Sequence, residues 1–116
     1  MQRININGKT IFVTGAAGFI GANLVKRLLN ETKETTIIGI DNMNDYYDVS
    51  IKEYRLKQIE TLAGEKNVNR WIFVKGSIAD KVLIDKIFAT YQPAVVVNLA
   101  AQAGVRYKRQ GVPYRR

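Results

Sequence analysis

The sequence predicts an open α/β fold, a parallel sheet wound by helices, and three observations carry that prediction. Short β-branched or apolar runs at 9–14, 35–41, 71–74 and 94–101 alternate with longer stretches whose apolar residues recur at helical spacing. The last run, Ala94-Val95-Val96-Val97-Asn98-Leu99-Ala100-Ala101, is almost continuously apolar, the pattern of a strand buried on both faces of a parallel sheet. Between the first run and the first helical stretch lies Val13-Thr14-Gly15-Ala16-Ala17-Gly18-Phe19-Ile20-Gly21, whose glycines recur every third residue at a strand-to-helix corner. The order is βαβαβαβ, with no internal repeat or linker.

Bulk properties narrow the class further. At 116 residues the chain suits one domain with one core, yet it is short for an enzyme that must hold both a dinucleotide and a second substrate. Hydrophobic content of 47% and charged content of 24% are those of an ordinary globular protein. No run reaches membrane-spanning length, and Met1-Gln2-Arg3-Ile4-Asn5 leads into no apolar signal core, so no membrane partner and a cytoplasmic address are expected. Zero Cys excludes disulfides and thiolate metal sites, and zero His removes the commonest general base. No metal site is expected, and acid–base chemistry would fall to Tyr, Lys or carboxylates. The formal net charge of +8 is concentrated in Arg106, Lys108, Arg109, Arg115 and Arg116, among which no acid stands. The remainder is close to balanced, with bases scattered along helices, so no nucleic-acid surface is expected.

The first strand, Lys9 to Thr14, is β-branched and aromatic, and Ile20, Leu24, Val25, Leu28 and Leu29 mark the helix after it. The first turn of that helix leaves backbone N–H groups unpaired where the peptide dipoles place partial positive charge, which suits a phosphate. Gly15 is assigned the tight turn, Gly18 the close backbone approach to a pyrophosphate, and Gly21 the packing of helix on strand, with Phe19 and Ile20 opening the helix between them. The second strand, Thr35 to Asp41, ends in an acid placed to accept hydrogen bonds from the adenosine ribose. No Lys or Arg follows Asp41 until Lys52, so NAD rather than NADP is expected.

Residues 42–48 read as a loop at the ligand edge, where Asn42 and Asn44 can supplement Asp41 at the ribose. A helix over 50–63 presents Leu56, Ile59, Leu62 and Ala63 on one face, with Gly64 as its stop. Trp71-Ile72-Phe73-Val74 is the third strand, followed by Ser77 at the adenine edge and Ile78 flanking the ring. Asp80 caps a helix over 81–91 whose Leu83, Ile84, Ile87, Phe88 and Tyr91 face the core, and Pro93 ends it. Leu99, Ala100 and Ala101 close the fourth strand, small enough at its end for backbone to approach the cofactor. Right-handed crossovers give strand order 3-2-1-4, the first half of a Rossmann-type doubly wound sheet, with the ligand crevice between strands one and four.

Thr14-Gly15-Ala16-Ala17-Gly18-Phe19-Ile20-Gly21, Asp41-Asn42 and Asn98-Leu99-Ala100-Ala101-Gln102-Ala103-Gly104-Val105-Arg106-Tyr107 together resemble, in order, three signatures of the extended short-chain dehydrogenase/reductase family, specifically its NAD-dependent nucleotide-sugar epimerases and dehydratases. Asp41 to Asp48 with Gln102 to Arg106 is most similar to the UDP-glucuronate 4-epimerase group. The resemblance spans 9–107 and departs at Ser77, where the family usually has Asp. It implies bound NAD, a UDP-sugar substrate, and removal and return of hydride at sugar C4. It further implies a catalytic Tyr with a Lys four residues on, and no Tyr in this sequence has one, so no catalytic residue is assigned. Arg106 is assigned to the substrate or its diphosphate.

From Lys108 onward the sequence no longer resembles the family, so residues 1–107 read as a truncated NAD-binding domain and 108–116 as a basic non-family tail. The expected function is the NAD-binding portion of an epimerase, itself inactive; the alternative is a non-catalytic module that senses NAD. A strand at 94–99 without an outer neighbour predicts homo-oligomers formed through the sheet edge or bared core faces.

Overall fold

The computed structural model describes residues 6–43, 49–66 and 68–100. Seven elements follow in the expected alternation: β1 (Thr10–Thr14), α1 (Phe19–Glu31), β2 (Thr36–Asp41), α2 (Val49–Lys66), β3 (Arg70–Lys75), α3 (Lys81–Tyr91) and β4 (Val95–Asn98). The strands form one parallel sheet in the order β3-β2-β1-β4. Register places Val13 between Gly39 and Val97, and Phe12 between Ile38 and Val96.

Because side chains alternate across a strand, the sheet has two apolar faces, and each gathers its own helices. Ile11, Val13 and Ile37 pack with Ala22, Val25, Leu29 and Ile59 beneath α1 and α2. Phe12, Ile38 and Ile40 pack with Ile87 of α3 on the other face. Phe12 and Phe88 meet edge to face across that second layer at 5.8 Å between ring centroids. Helices on both faces of a parallel sheet make this the Rossmann-like arrangement expected from the sequence.

Local chemistry explains the element ends. Asp80 accepts a hydrogen bond from the Leu83 N–H at 3.1 Å and so caps α3. Beyond Tyr91, Gln92 adopts a left-handed conformation and donates its N–H to the Phe88 carbonyl at 3.0 Å. The Thr32 hydroxyl donates to the Leu28 carbonyl at 2.6 Å as α1 ends. The Asn69 amide donates to the Leu29 and Thr32 carbonyls at 3.1 and 2.9 Å, while its oxygen accepts from the Thr35 N–H at 2.9 Å. These bonds pin the end of α1 to the start of β2 at the sheet edge opposite the glycine turn.

Two expectations are corrected. Gly64 does not stop α2, which continues to Lys66. A glycine inside a helix costs only about 1 kcal/mol, and Gly64 is exposed with open space around it. Nor is β4 buried on both faces: its exposure alternates, with Val95 and Val97 packed toward α1 and Val96 48% exposed. Among the described residues no helix covers the Val96 face, because α3 packs chiefly against β1 to β3. Phe88, placed in the core by its spacing, is 40% exposed for the same reason.

Candidate dinucleotide-binding site

The carboxyl ends of all four strands meet at one edge of the sheet, and hydrogen bonds tie them together. Gly15 has φ +69°, the left-handed conformation that reverses the chain from β1 toward α1 without a Cβ clash. A Cβ there would come within 3.0 Å of Leu99 and Ala100 backbone atoms, so the turn lies directly against the end of β4. Thr14 makes the join. Its buried hydroxyl donates to the Asn98 side-chain oxygen at 2.6 Å and accepts from the Leu99 and Ala100 N–H groups at 2.8 and 3.0 Å. On the other flank the Ala16 N–H donates to the Ile40 carbonyl at 3.1 Å, and the Gly76 N–H to the Asp41 carbonyl at 3.1 Å.

The start of α1 is shaped to receive an anion. Gly18 is its N-cap and offers no side-chain cap, and the first helical bond runs from the Ala22 N–H to the Gly18 carbonyl at 2.8 Å. The N–H groups of Phe19, Ile20 and Gly21 precede that bond and have no acceptor within the helix. Phe19 and Ile20 are 69% and 66% exposed at this corner. Gly21 permits the approach: a Cβ would fall 2.0 Å from the Gly15 carbonyl oxygen. That closeness holds the start of α1, with its unpaired N–H groups, against the glycine turn, the arrangement a pyrophosphate requires.

Asp41 faces the same crevice. It is buried, and its Oδ2 accepts from the Ala17 N–H at 3.0 Å, inside the glycine turn. Oδ1 accepts from the Met43 N–H at 2.8 Å and pairs with Lys52 Nζ at 3.0 Å. A carboxylate has about four acceptor sites, so capacity remains for a ribose hydroxyl. Asn42 follows it, exposed at the rim. Leu99 and Ala100 close the opposite wall.

Ser77 and Ile78 lie at the end of β3, where both have local structural tasks. The Ser77 hydroxyl accepts from the Ala79 N–H at 3.0 Å, and Ile78 packs against the cluster around Phe12, Ile38, Ile40 and Ile87. Asn44, Ala101, Arg106 and the tail at 108–116 lie outside the described residues.

The expectation that no cation stands near Asp41 is corrected by Lys52. Its separation along the chain is bridged because α2 runs back over the end of β2, bringing its first turn to the carboxylate. Arg55, three residues on, donates to the Ala17 carbonyl at 3.2 Å and lies 5.9 Å from the Phe19 ring centroid. Sequence reasoning also passed over Thr14 as a latch and Gly39 as a contact. A Cβ on Gly39 would be 2.5 Å from the Trp71 ring and 2.6 Å from the Ala16 Cβ, so this glycine seats the turn on the sheet. A lone glycine inside a strand was the available signal.

The family model described as GDP-mannose 4,6 dehydratase matches residues 12–112. The chain belongs to that family. Among relatives of this GDP-mannose 4,6 dehydratase family member, protein CapI of Staphylococcus aureus is 48% identical over 97 residues, covering 84% of this chain and 26% of CapI. UDP-glucuronate 4-epimerase 4 of Arabidopsis thaliana is 42% identical over 101 residues, covering 87% of this chain and 21% of the enzyme. The structure of UDP-glucuronic acid 4-epimerase from Bacillus cereus in complex with UDP-glucuronic acid and NAD superposes with a TM-score of 0.64 at 30% identity, covering 85% of this chain and 28% of that one. The chain therefore spans about a quarter of the length of these relatives, and the residues matched by the family model include the glycine turn, Asp41 and the end of β4. No helix among the described residues is long and apolar enough to cross a membrane, and no cluster of three metal-ligating side chains occurs among them.

Proposed function

We propose that this chain is the NAD-binding portion of a nucleotide-sugar 4-epimerase whose substrate is a UDP-glucuronate-like sugar. One observation carries the reading: the Asp41 carboxylate is bonded to the Ala17 N–H within the glycine turn, so a ribose acceptor and an anion cradle share one crevice. In this reading the N–H groups at the start of α1 hold the pyrophosphate, Asp41 with Asn42 and Asn44 holds the adenosine ribose, and Ser77 and Ile78 border the adenine. Leu99, Ala100 and Ala101 flank the nicotinamide half, and Arg106 reaches the sugar diphosphate or the substrate carboxylate. NAD, when bound, supplies the acceptor that takes hydride from the sugar and returns it.

The chain's own contribution is binding and orientation. The 116 residues contain no Tyr with Lys four positions on, so turnover requires residues that this sequence does not supply. A second reading, a module that binds NAD without catalysis, rests on the same crevice.

Calorimetric titration with NAD tests the shared premise. Saturable binding that Asp41→Ala abolishes is expected, and the absence of heat with correctly folded protein overturns the proposal. Joining these residues to the catalytic portion of a UDP-glucuronate 4-epimerase separates the two readings. Epimerisation of UDP-glucuronate supports the enzyme, and an inert but NAD-binding chimera supports the sensor.

A further inference from the structure

The glycine turn is gripped from outside by a side chain of α2. Leu56 and Ile59 pack into the core cluster around Ile11, Val13 and Ile37, and Arg55, four residues before Ile59, springs from that anchored stretch of helix. Its Nη1 donates to the Ala17 carbonyl at 3.2 Å, and its guanidinium carbon lies over the Phe19 ring, 5.9 Å from the centroid. A planar guanidinium suits both contacts, since it carries several donors in a fixed fork and its charge is drawn to an aromatic face.

Ala17 is buried and tied on two sides, its N–H to Asp41 Oδ2 at 3.0 Å and its carbonyl to Arg55. The next N–H, of Gly18, donates to the Gly15 carbonyl at 3.1 Å. Both ends of the Ala17–Gly18 peptide are therefore held, and that peptide sets the direction in which α1 begins. The N–H groups of Phe19, Ile20 and Gly21 follow at once, so their aim depends on a plane that Arg55 helps to fix. Gly18, the N-cap, has no side chain with which to brace the turn, and the task falls to a residue from another element.

We propose that Arg55 is a positioning residue for the dinucleotide site: by holding the Ala17 carbonyl and the Phe19 ring it keeps the N–H groups at the start of α1 aimed at the pyrophosphate, acting through the turn rather than on the ligand. The inference rests on the cofactor reading above and adds to it a residue outside the glycine turn.

The test is calorimetric titration with NAD of the full chain, of Arg55→Met and of Arg55→Lys, at about 0.1 M and about 1 M salt. Arg55→Met should weaken NAD by about tenfold, the scale of one hydrogen bond from a charged group, and Arg55→Lys, which keeps a cation and a donor, should regain part of the loss. Because the effect runs through geometry, the ratio of wild-type to Arg55→Met affinity should be the same at both salt concentrations. A folded Arg55→Met protein that binds NAD as well as the wild type overturns the proposal and leaves the Ala17 bond merely structural. A ratio that collapses toward one at high salt also overturns it, marking Arg55 as a bare charge that attracts the phosphates. Should Arg55→Met fail to fold, as circular dichroism would show, Phe19→Leu decides, since it removes the ring from an exposed position and keeps the residue 19 N–H. That variant should weaken NAD by about two- to fivefold, and unchanged affinity overturns the proposal. Failure of the folded wild-type chain to bind NAD overturns the cofactor reading itself, a distinct outcome.

Discussion

Replacing Gly21 by Ala sets two opposed effects against each other at one atom. Alanine favours helix over glycine by about 1 kcal/mol in an interior position, so propensity alone predicts a gain. The new Cβ, however, would lie 2.0 Å from the Gly15 carbonyl oxygen and 2.8 Å from its carbon. Both are backbone atoms of a turn held by Thr14, Ala16 and Ala17 bonds, so no side chain can rotate out of the way. The start of α1 must withdraw by on the order of 1 Å, a displacement large enough to spoil a binding geometry. Overpacking of this kind costs about 1–3 kcal/mol and more where backbone must move, which leaves a net loss of about 2 kcal/mol. Gly64→Ala supplies the control, since that helical glycine has open space around it and should gain up to about 1 kcal/mol. Thermal unfolding followed by circular dichroism should separate the two variants by about 10–20 °C, the scale for a domain of this size. A Gly21→Ala protein that melts at or above the wild type would refute the close approach of α1 to the turn.

Asp41→Asn places an amide N–H₂ against donors it cannot accept from and breaks the Lys52 pair; an urea titration should show a loss of about 2–3 kcal/mol, and a loss within error of zero would contradict the buried contacts. Thr14→Val keeps the shape but strips the latch from Asn98, Leu99 and Ala100, so stability should fall by about 1–3 kcal/mol and amide exchange at Leu99 and Ala100 should accelerate relative to β2. Asp80→Ala removes the α3 cap and should lower stability by about 1 kcal/mol in the same titration, without altering NAD binding.

The elements themselves, their order and the glycine turn were legible before folding. The β-branched and aromatic run at 9–14 marked β1; helical spacing placed Leu56, Ile59 and Leu62 on one face of α2, the face that packs against the sheet; and the glycines at 15, 18 and 21 located the turn. Those periods are intrinsic to strands and helices, so they are written in residue order. Only the tertiary structure brought Lys52 onto Asp41, the Thr14 hydroxyl onto the end of β4, and Trp71 beneath Gly39. Such contacts join residues from different elements, and their distances follow from how α2 and β4 settle on the sheet rather than from spacing along the chain. The same reason bared Val96: its apolar character is a property of the residue, whereas its exposure depends on whether another element covers it.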